Sequence, residues 1–187
     1  MAIALIGFIL GIMILKLLQR EGAPYFGGWE EKQPNRTFYE AVKKSAEWLR
    51  WFHLRDGIAN SPFDANAALH RIDALFARIP AERRCATFEA SSALLYRRAD
   101  IVHGQAVMHG SVHGDFTPYN IMVSRATAVG IDYLANKQVA VVGDVNRMLM
   151  YLFAHRYFPV SRRMLGPQGC TREDWTAFTQ GYGTGIL

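Results

Sequence analysis

Three oxygen-bearing side chains near the middle of the chain have the types and spacing of a phosphoryl-transfer site. Asp115 and Asn120 lie five residues apart in the segment His-Gly-Asp-Phe-Thr-Pro-Tyr-Asn, and Asp132 follows a short apolar stretch. One carboxylate in such a loop can orient an attacking hydroxyl, while an amide and a second carboxylate can hold magnesium against nucleotide phosphates. Mg²⁺ prefers these oxygen donors. The pattern therefore predicts Asp115 as the catalytic group, and Asn120 and Asp132 as ligands of Mg²⁺ and its bound nucleotide.

Each of these residues also has an ordinary structural interpretation. Gly-Asp and Thr-Pro sequences form turns, so Asp115 alone would favour a turn aspartate. Asp132 follows an apolar run and would then be a carboxylate at the end of a strand, while Asn120 would cap local backbone. Because all three residues occur together at the spacing of a phosphoryl-transfer site, the sequence favours a catalytic loop instead.

Apolar patterns predict the elements that follow this loop. Residues 121–123 and 128–131 are expected to form two short strands around a polar turn. Asp144 precedes an apolar helical run over residues 145–153, and a helix N-terminus favours a carboxylate at that position. Apart from the hairpin, residues 102–143 are expected to contain little sheet.

Helical periodicity dominates the sequence before and after the loop. Apolar residues at three- and four-residue spacing predict a helix over residues 38–53, with Thr37 as its N-cap. Asp64 is expected to cap a second helix and residues 81–101 to form a third. Two further helices follow the loop, and Thr171 is the expected cap of the last one.

The loop also resembles that of a known family. Protein kinases carry His-Arg-Asp with an asparagine five positions after the aspartate. This chain has a glycine in the middle, as His113-Gly114-Asp115, and with that glycine the stretch resembles the aminoglycoside phosphotransferase and choline kinase branch of the protein-kinase-like fold. The hairpin, Asp132 and the flanking helices extend the resemblance over roughly residues 38–182.

The resemblance implies a fold and an activity. The fold is α+β and mostly helical, a protein-kinase-like C-terminal lobe over residues 38–187 with a short β-hairpin at the catalytic loop. The activity is Mg²⁺-dependent transfer of the γ-phosphate of ATP to a hydroxyl of an aminoglycoside-, choline- or sugar-like acceptor. In relatives, the histidine at the position of His113 supports the loop by hydrogen bonding without taking the proton. The acidic residue at the position of Asp144 braces the loop backbone.

One part of a kinase-like enzyme is not recognisable in the sequence. The small β-rich lobe should supply a glycine-rich phosphate loop and a strand lysine. Before residue 38, only residues 5–8 come close to such a phosphate loop, and they contain a single glycine. Lys16 is too near this segment and lies in an apolar run, so it does not match the strand lysine. We therefore expect a large lobe, truncated at its C-terminus, whose small lobe is missing or is supplied in trans. The alternative is a non-catalytic remnant or binding module that lacks the phosphate-gripping lobe.

Composition limits the remaining possibilities. The chain has 187 residues, half of them hydrophobic and a fifth charged, which suits one globular domain with a proper core. The net charge of +5 suits an enzyme that handles ATP, and no basic stripe interleaved with aromatic residues indicates a nucleic-acid partner. Cys85 and Cys170 have no CxxC spacing, so a reducing cytoplasm is the expected setting.

The N-terminal segment, residues 1–20, is strongly apolar, and turn-forming residues then predict a loop over residues 21–37. The run 2–18 is short for a membrane span, which needs ~20 apolar residues. It could be a short anchor, a buried helix that covers the docking face of the small lobe, or a replacement start. As an anchor it would place Lys16, Arg20 and the following domain on the cytoplasmic side of the membrane.

Overall fold

The computed structural model describes residues 36–134, 136–157 and 170–184. Within them the chain forms the helices α1 (Arg36–Leu54), α2 (Ala65–Phe76), α3 (Ala86–Val102), α4 (Val142–Tyr157) and α5 (Arg172–Tyr182). The strands are β1 (Ala59–Pro62), β2 (Ala106–Val112), β3 (Ile121–Val123), β4 (Ala128–Gly130) and β5 (Asn136–Ala140), with 3₁₀ turns at Ala81–Arg83 and Pro118–Asn120. The described chain is α+β and mostly helical, which confirms the predicted fold class at that level.

Helix α1 is the central helix of the larger hydrophobic core. Val42, Ala46 and Leu49 recur at three- and four-residue spacing and are buried, so one face of the helix turns inward. The buried side chains that α4 and α5 contribute to this core are Val145, Met148, Leu149, Leu152, Ala177, Phe178 and Tyr182. Full burial of each large apolar side chain stabilises the fold by about 1.5–3 kcal/mol.

Helices α1 and α5 come close together at Gly181. A Cβ atom on Gly181 would lie 2.1 Å from the backbone oxygen of Lys43 and 3.0 Å from the Cβ of Ala46. The nearest atom is backbone and cannot move aside without shifting α1. Glycine at this position therefore allows the contact that brings the following residue, Tyr182, against α1.

Two of the predicted helix caps are confirmed and one is wrong. Asp64 and Thr171 each accept a hydrogen bond from the backbone N–H three residues later, at 3.0 and 3.2 Å respectively. Thr37 lies inside α1, which already begins at Arg36. An N-cap residue has non-helical backbone, so Thr37 is not the cap, and the last two residues of the predicted loop 21–37 are helical, while its other residues lie outside the described ranges.

The third predicted helix, over residues 81–101, begins later than expected. Helix α3 starts at Ala86, and Arg84 before it is extended. The guanidinium of Arg84 donates hydrogen bonds to the carbonyl oxygens of Ile79 and Phe76, both at 3.2 Å. These bonds satisfy carbonyl groups at and just after the end of α2, and Pro80 lies between that helix and α3.

Strand β2 is the centre of an antiparallel three-stranded sheet in the order β1-β2-β5. His109 of β2 pairs with Ala59 on one side and Ala140 on the other. The expectation of little sheet in residues 102–143 is wrong, because β2 and β5 both lie there in addition to the hairpin. Strand β5 begins Asn-Lys-Gln and β1 reads Ala-Asn-Ser-Pro, residues with low strand preference, so pairing with a distant strand forms them.

The hairpin of β3 and β4 follows the candidate loop as predicted. Helix α1 covers its inner side, where Trp48 packs on Gly130. A Cβ atom on Gly130 would lie 2.4 Å from the Trp48 ring, so this contact requires glycine. The Nζ of Lys44 donates a hydrogen bond to the Ser124 carbonyl in the turn, at 3.2 Å. The hairpin is therefore held against α1 at both ends.

No helix in the described part of the chain is long and apolar enough to cross a membrane. The predicted apolar segment 1–20, whether anchor or packed helix, lies outside the described residues.

Candidate active site

The loop between β2 and the hairpin has a backbone shape that requires a glycine. Gly114 has a φ of +86°, in the left-handed region. A Cβ atom on Gly114 would also lie 3.0 Å from the Cβ of Leu134. The backbone N–H of Leu134 donates to the His113 carbonyl at 2.8 Å, so the segment after the hairpin packs directly over the loop.

Asp144, in the first turn of α4, lies beneath the same loop and is buried. Its Oδ2 accepts a hydrogen bond from the backbone N–H of His113 at 2.6 Å, and its Oδ1 accepts one from Gly114 at 2.9 Å. One carboxylate thus binds two consecutive amides. This fixes the backbone orientation from which the side chain of Asp115 projects.

A buried relay supports Asp144 from behind. The Nε2 of His53 lies 3.1 Å from Asp144 Oδ2, and the Tyr182 hydroxyl lies 2.6 Å from His53 Nδ1. Since a carboxylate only accepts, Nε2 of His53 donates to Asp144, and in the tautomer with its only ring hydrogen on Nε2 the Nδ1 atom accepts a hydrogen bond from the Tyr182 hydroxyl. Burial raises the pKa of Tyr182, and the Asp144 charge adds to the effect while Arg50 opposes it, so the hydroxyl remains a donor.

His113 is completely buried among aromatic rings. Its ring lies 5.6 to 6.2 Å, centroid to centroid, from those of Trp48, Phe52, Phe116 and Tyr133. Burial lowers the pKa of His113, although Asp144 and the nearby Ile131 backbone act against that shift. Its Nδ1 accepts from the Asp115 amide at 3.4 Å, and among the described residues Nε2 has no hydrogen-bond partner of ordinary geometry. A neutral, enclosed imidazole of this kind suits support of the loop better than proton transfer.

The two oxygens of the Asp115 carboxylate bind different partners. Oδ2 accepts a hydrogen bond from Asn120 Nδ2 at 2.9 Å, and the same Nδ2 donates to the Asp115 carbonyl at 2.9 Å. Oδ1 accepts from Arg147 Nη1, also at 2.9 Å. The structure therefore brings together two of the sequence-predicted residues and adds a third group that the sequence did not indicate.

Arg147 was missed because it is 32 positions away from Asp115 in the sequence. One signal could have revealed it. Arg147 follows Asp144 by three residues on α4, so both side chains lie on the same face of that helix. A residue one turn beyond the one that braces the loop is a natural neighbour of the loop's own side chains.

The hairpin brings Asp132 beside Asn120. The backbone N–H of Ile131 donates to the Asn120 carbonyl at 2.9 Å, which extends the hairpin by one more bond before Asp132. Asp132 itself is exposed and has a φ of +55°. A non-glycine residue in this region costs about 1–2 kcal/mol, although aspartate tolerates it better than most. The hairpin therefore returns the chain from Asn120, just before β3, to Asp132, shortly after β4.

Comparison with known proteins leaves the family open. No family model matches the chain, and no match was found among curated proteins or solved structures.

Asn120 and Asp132 each have a side-chain oxygen of the kind that Mg²⁺ prefers. The amide nitrogen of Asn120 is used by Asp115, which leaves its Oδ1 to act as a ligand, and Asp132 offers an exposed carboxylate. Within the described ranges, no group of three or more His, Cys, Asp or Glu side chains could hold a metal ion. An ion at this site would therefore take its other ligands from water and phosphate, as Mg²⁺ commonly does.

Proposed function

We propose that the protein is an ATP-dependent phosphotransferase with a protein-kinase-like large lobe, which transfers the γ-phosphate to a hydroxyl of an aminoglycoside-, choline- or sugar-like acceptor. One observation carries the proposal. Asp115 and Asn120 are hydrogen-bonded to each other, and the backbone N–H of Ile131, the residue before Asp132, donates to the Asn120 carbonyl. Phosphoryl transfer requires mainly positioned charges of this kind, since the protein contributes little covalent chemistry.

Each residue has a definite task in this reaction. Asp115 accepts a hydrogen bond from the acceptor hydroxyl and thereby orients the hydroxyl oxygen toward the γ-phosphorus. The new oxygen–phosphorus bond forms as the bond to the β–γ bridging oxygen breaks; ADP leaves, and the hydroxyl proton passes to Asp115 and then to water. Asn120 and Asp132 would hold Mg²⁺, which when bound neutralises charge on the phosphates. Asp144 and His113 keep the loop in place.

The outer face of the hairpin offers a surface for the base of the nucleotide. Met122 and Val129 are cross-strand neighbours, and they are 65% and 47% exposed. Met122 lies two residues after Asn120 on the strand that leaves the loop. An apolar surface next to the phosphate-binding residues suits a flat heterocycle, because ligand sites combine apolar walls with a few polar groups.

A second candidate function is a binding module without catalysis, and the exposed hairpin favours it. Apolar side chains continue beyond Met122 and Val129 to Leu134, which is 66% exposed. Exposed apolar patches of this kind commonly mark interaction sites. A small lobe supplied in trans would dock on such a face. Loss of even one preorganised contact to the reacting phosphate raises the transition-state free energy by ~3 kcal/mol. A chain without the phosphate-binding groups of the small lobe would therefore be a poor catalyst.

Calorimetric titration of the full chain with Mg-ATP tests the proposal directly. We expect binding by the wild type, loss of binding in Asp132→Ala, and unchanged binding in Asp100→Ala, which removes an exposed aspartate from α3. Binding by the Asp132→Ala variant equal to that of the wild type would remove Asp132 from the site. Absence of binding by the wild type at millimolar nucleotide would favour the binding module or a missing small lobe.

A further inference from the structure

The two oxygens of Asp115 divide the candidate site into two sides. Oδ2 faces Asn120, and in the proposed function that side holds the metal and the nucleotide phosphates. Oδ1 faces Arg147 on α4. Because the attacking and leaving oxygens of a phosphoryl transfer are roughly in line, the acceptor must approach from the side opposite the nucleotide. The acceptor would therefore meet Arg147.

The guanidinium of Arg147 retains donors for a ligand. Its described hydrogen bond uses Nη1 alone, while a guanidinium has five N–H donors in a rigid plane. The side chain of Arg147 is 43% exposed and that of Asp115 is 46% exposed, so solvent and small molecules reach both groups. An oxyanion can bind such a guanidinium through two parallel hydrogen bonds.

Two tyrosines border the same side. The rings of Tyr119 and Tyr151 meet edge to face with their centroids 5.9 Å apart. Burial raises the pKa of Tyr151, the Asp115 carboxylate and Tyr119 add to the shift, and the Arg147 cation opposes it. Tyr151 follows Arg147 by four residues on α4, so both lie on the same face of that helix, with the Tyr119 ring against Tyr151.

The charges on this side disfavour a cationic acceptor. The Asp115 carboxylate is already neutralised by Arg147, and among the described residues no second carboxylate contacts that guanidinium. An ammonium group would meet a cation without a compensating anion, whereas a carboxylate or phosphate would gain a charge-assisted pair. We propose that the cationic aminoglycoside- and choline-like acceptors are disfavoured, that the acceptor is a sugar-like hydroxyl compound that carries an oxyanion, and that Arg147 binds this oxyanion as a specificity-determining residue. The assignment rests on the proposed function, and the bound oxyanion is unchanged by the transfer itself.

This assignment makes Asp115 a competitor of the oxyanion in the free protein. Removal of the Asp115 charge should leave Arg147 without its internal partner and strengthen anion binding. If the ion pair only stabilised the fold, the same change would create no anion site. The two possibilities therefore differ in the sign of their effect on anion affinity.

Calorimetric titration of the full chain with inorganic phosphate, without nucleotide, tests the anion site. We expect Asp115→Asn to bind phosphate about two- to fivefold more tightly than the wild type, as competition by one exposed ion pair predicts. Arg147→Gln should abolish binding. Arg97→Gln, which removes an exposed arginine from α3, should leave it unchanged. Equal binding by Arg147→Gln and the wild type, or no binding by either the wild type or Asp115→Asn, overturns the anion site.

A second titration separates the acceptor oxyanion from the γ-phosphate. Phosphate is titrated into the protein saturated with magnesium and the non-hydrolysable β,γ-imido analogue of ATP. Undiminished, Arg147-dependent binding supports the acceptor assignment, while competition by the analogue overturns it, because Arg147 would then belong to the γ-phosphate site. If the analogue does not bind at all, this chain alone does not bind nucleotide, and both the proposed function and the acceptor role fail for the chain on its own. The first titration still shows whether Arg147 holds an anion.

Discussion

The proposed chemistry depends on the side chain of Asp115. This side chain is held from both sides, by Asn120 and by Arg147, but half of its surface remains open. Asn120 would keep one of its two bonds if the carboxylate were removed, because its Nδ2 also donates to the Asp115 carbonyl. Catalysis and nucleotide binding can therefore be separated at this position.

Asp115→Ala should lower phosphate transfer to an acceptor or to water by about 100- to 10,000-fold, the range expected for loss of a positioned acid–base group. Mg-ATP binding should remain within a few-fold of the wild type, since Asn120 and Asp132 stay in place. Transfer is measured with γ-labelled ATP, and binding by calorimetry. Unchanged turnover in the variant would refute the role of Asp115.

The backbone of Asp132 gives a second prediction at the residue scale. Its φ of +55° favours glycine over any residue with a Cβ atom. We expect the free energy of unfolding of Asp132→Gly to be about 1 kcal/mol higher than that of Asp132→Ala. Both variants lack the carboxylate, so the difference reports the backbone conformation alone. Chemical denaturation measures the difference. Equal or greater stability of the alanine variant would show that the left-handed conformation is not kept in solution.

At the scale of elements, four parts of the chain meet at one buried carboxylate. Asp144 of α4 connects the loop amides to His53 of α1, and His53 connects to Tyr182 of α5. All three side chains are buried. Since each buried polar atom in this relay needs its hydrogen-bond partner, loss of the Tyr182 hydroxyl should also weaken the hydrogen bond between Asp144 and the Gly114 amide.

Tyr182→Phe should lower the free energy of unfolding by about 1–3 kcal/mol, because it leaves the buried Nδ1 of His53 without a donor. The amide hydrogen of Gly114, bound to Asp144, should exchange faster. Hydrogen exchange followed by NMR and chemical denaturation measure the two effects. The control is Tyr96→Phe, whose exposed hydroxyl binds Asp73 at the surface. Equal effects of the two substitutions would contradict a coupled relay.

The helices were more predictable than the sheet. An amphipathic stripe such as Val42, Ala46 and Leu49 is a local signal, and the local cap at Asp64 was also predicted. The strands β1 and β5 carry no such signal, because their formation depends on pairing with β2. The paired residues of β1 and β2 are 44 to 50 positions apart, and those of β2 and β5 are 24 to 31 positions apart, with the candidate loop and the hairpin between them. The break between α2 and α3 contains Pro80, which is a local signal for the end of a helix, whereas the extended backbone of Arg84 that delays α3 to Ala86 was not predicted.

At the scale of the whole molecule, exposed apolar side chains gather along the hairpin and the segment that follows it. They include Met122, Val123, Val129, Ile131, Tyr133 and Leu134. The larger core lies on the other side of the hairpin, beneath Trp48 and α1. The hairpin therefore presents one face to the core and one to solvent, and only the second is open to a ligand.

Met122→Asp should weaken Mg-ATP binding, since it places a negative charge on the surface proposed for the base. The free energy of unfolding should change by no more than ~0.5 kcal/mol, because the side chain is exposed. Leu75→Asp, at a 44% exposed position on α2, is the matched control and should leave binding unchanged. Calorimetry and denaturation are the measurements. Unaltered nucleotide affinity in Met122→Asp would remove the hairpin face from the nucleotide site.

The sequence by itself determined the local constellation. Asp115 and Asn120 share one short loop, and a tight hairpin returns the chain to Asp132, so close spacing along the chain leaves these residues few ways to be apart. Only the tertiary structure decided which groups surround them. The bond from Arg147 to Asp115 spans 32 positions and that from Tyr182 to His53 spans 129. Contacts over such separations depend on how α1, α4 and α5 pack together, which no local spacing of residues specifies.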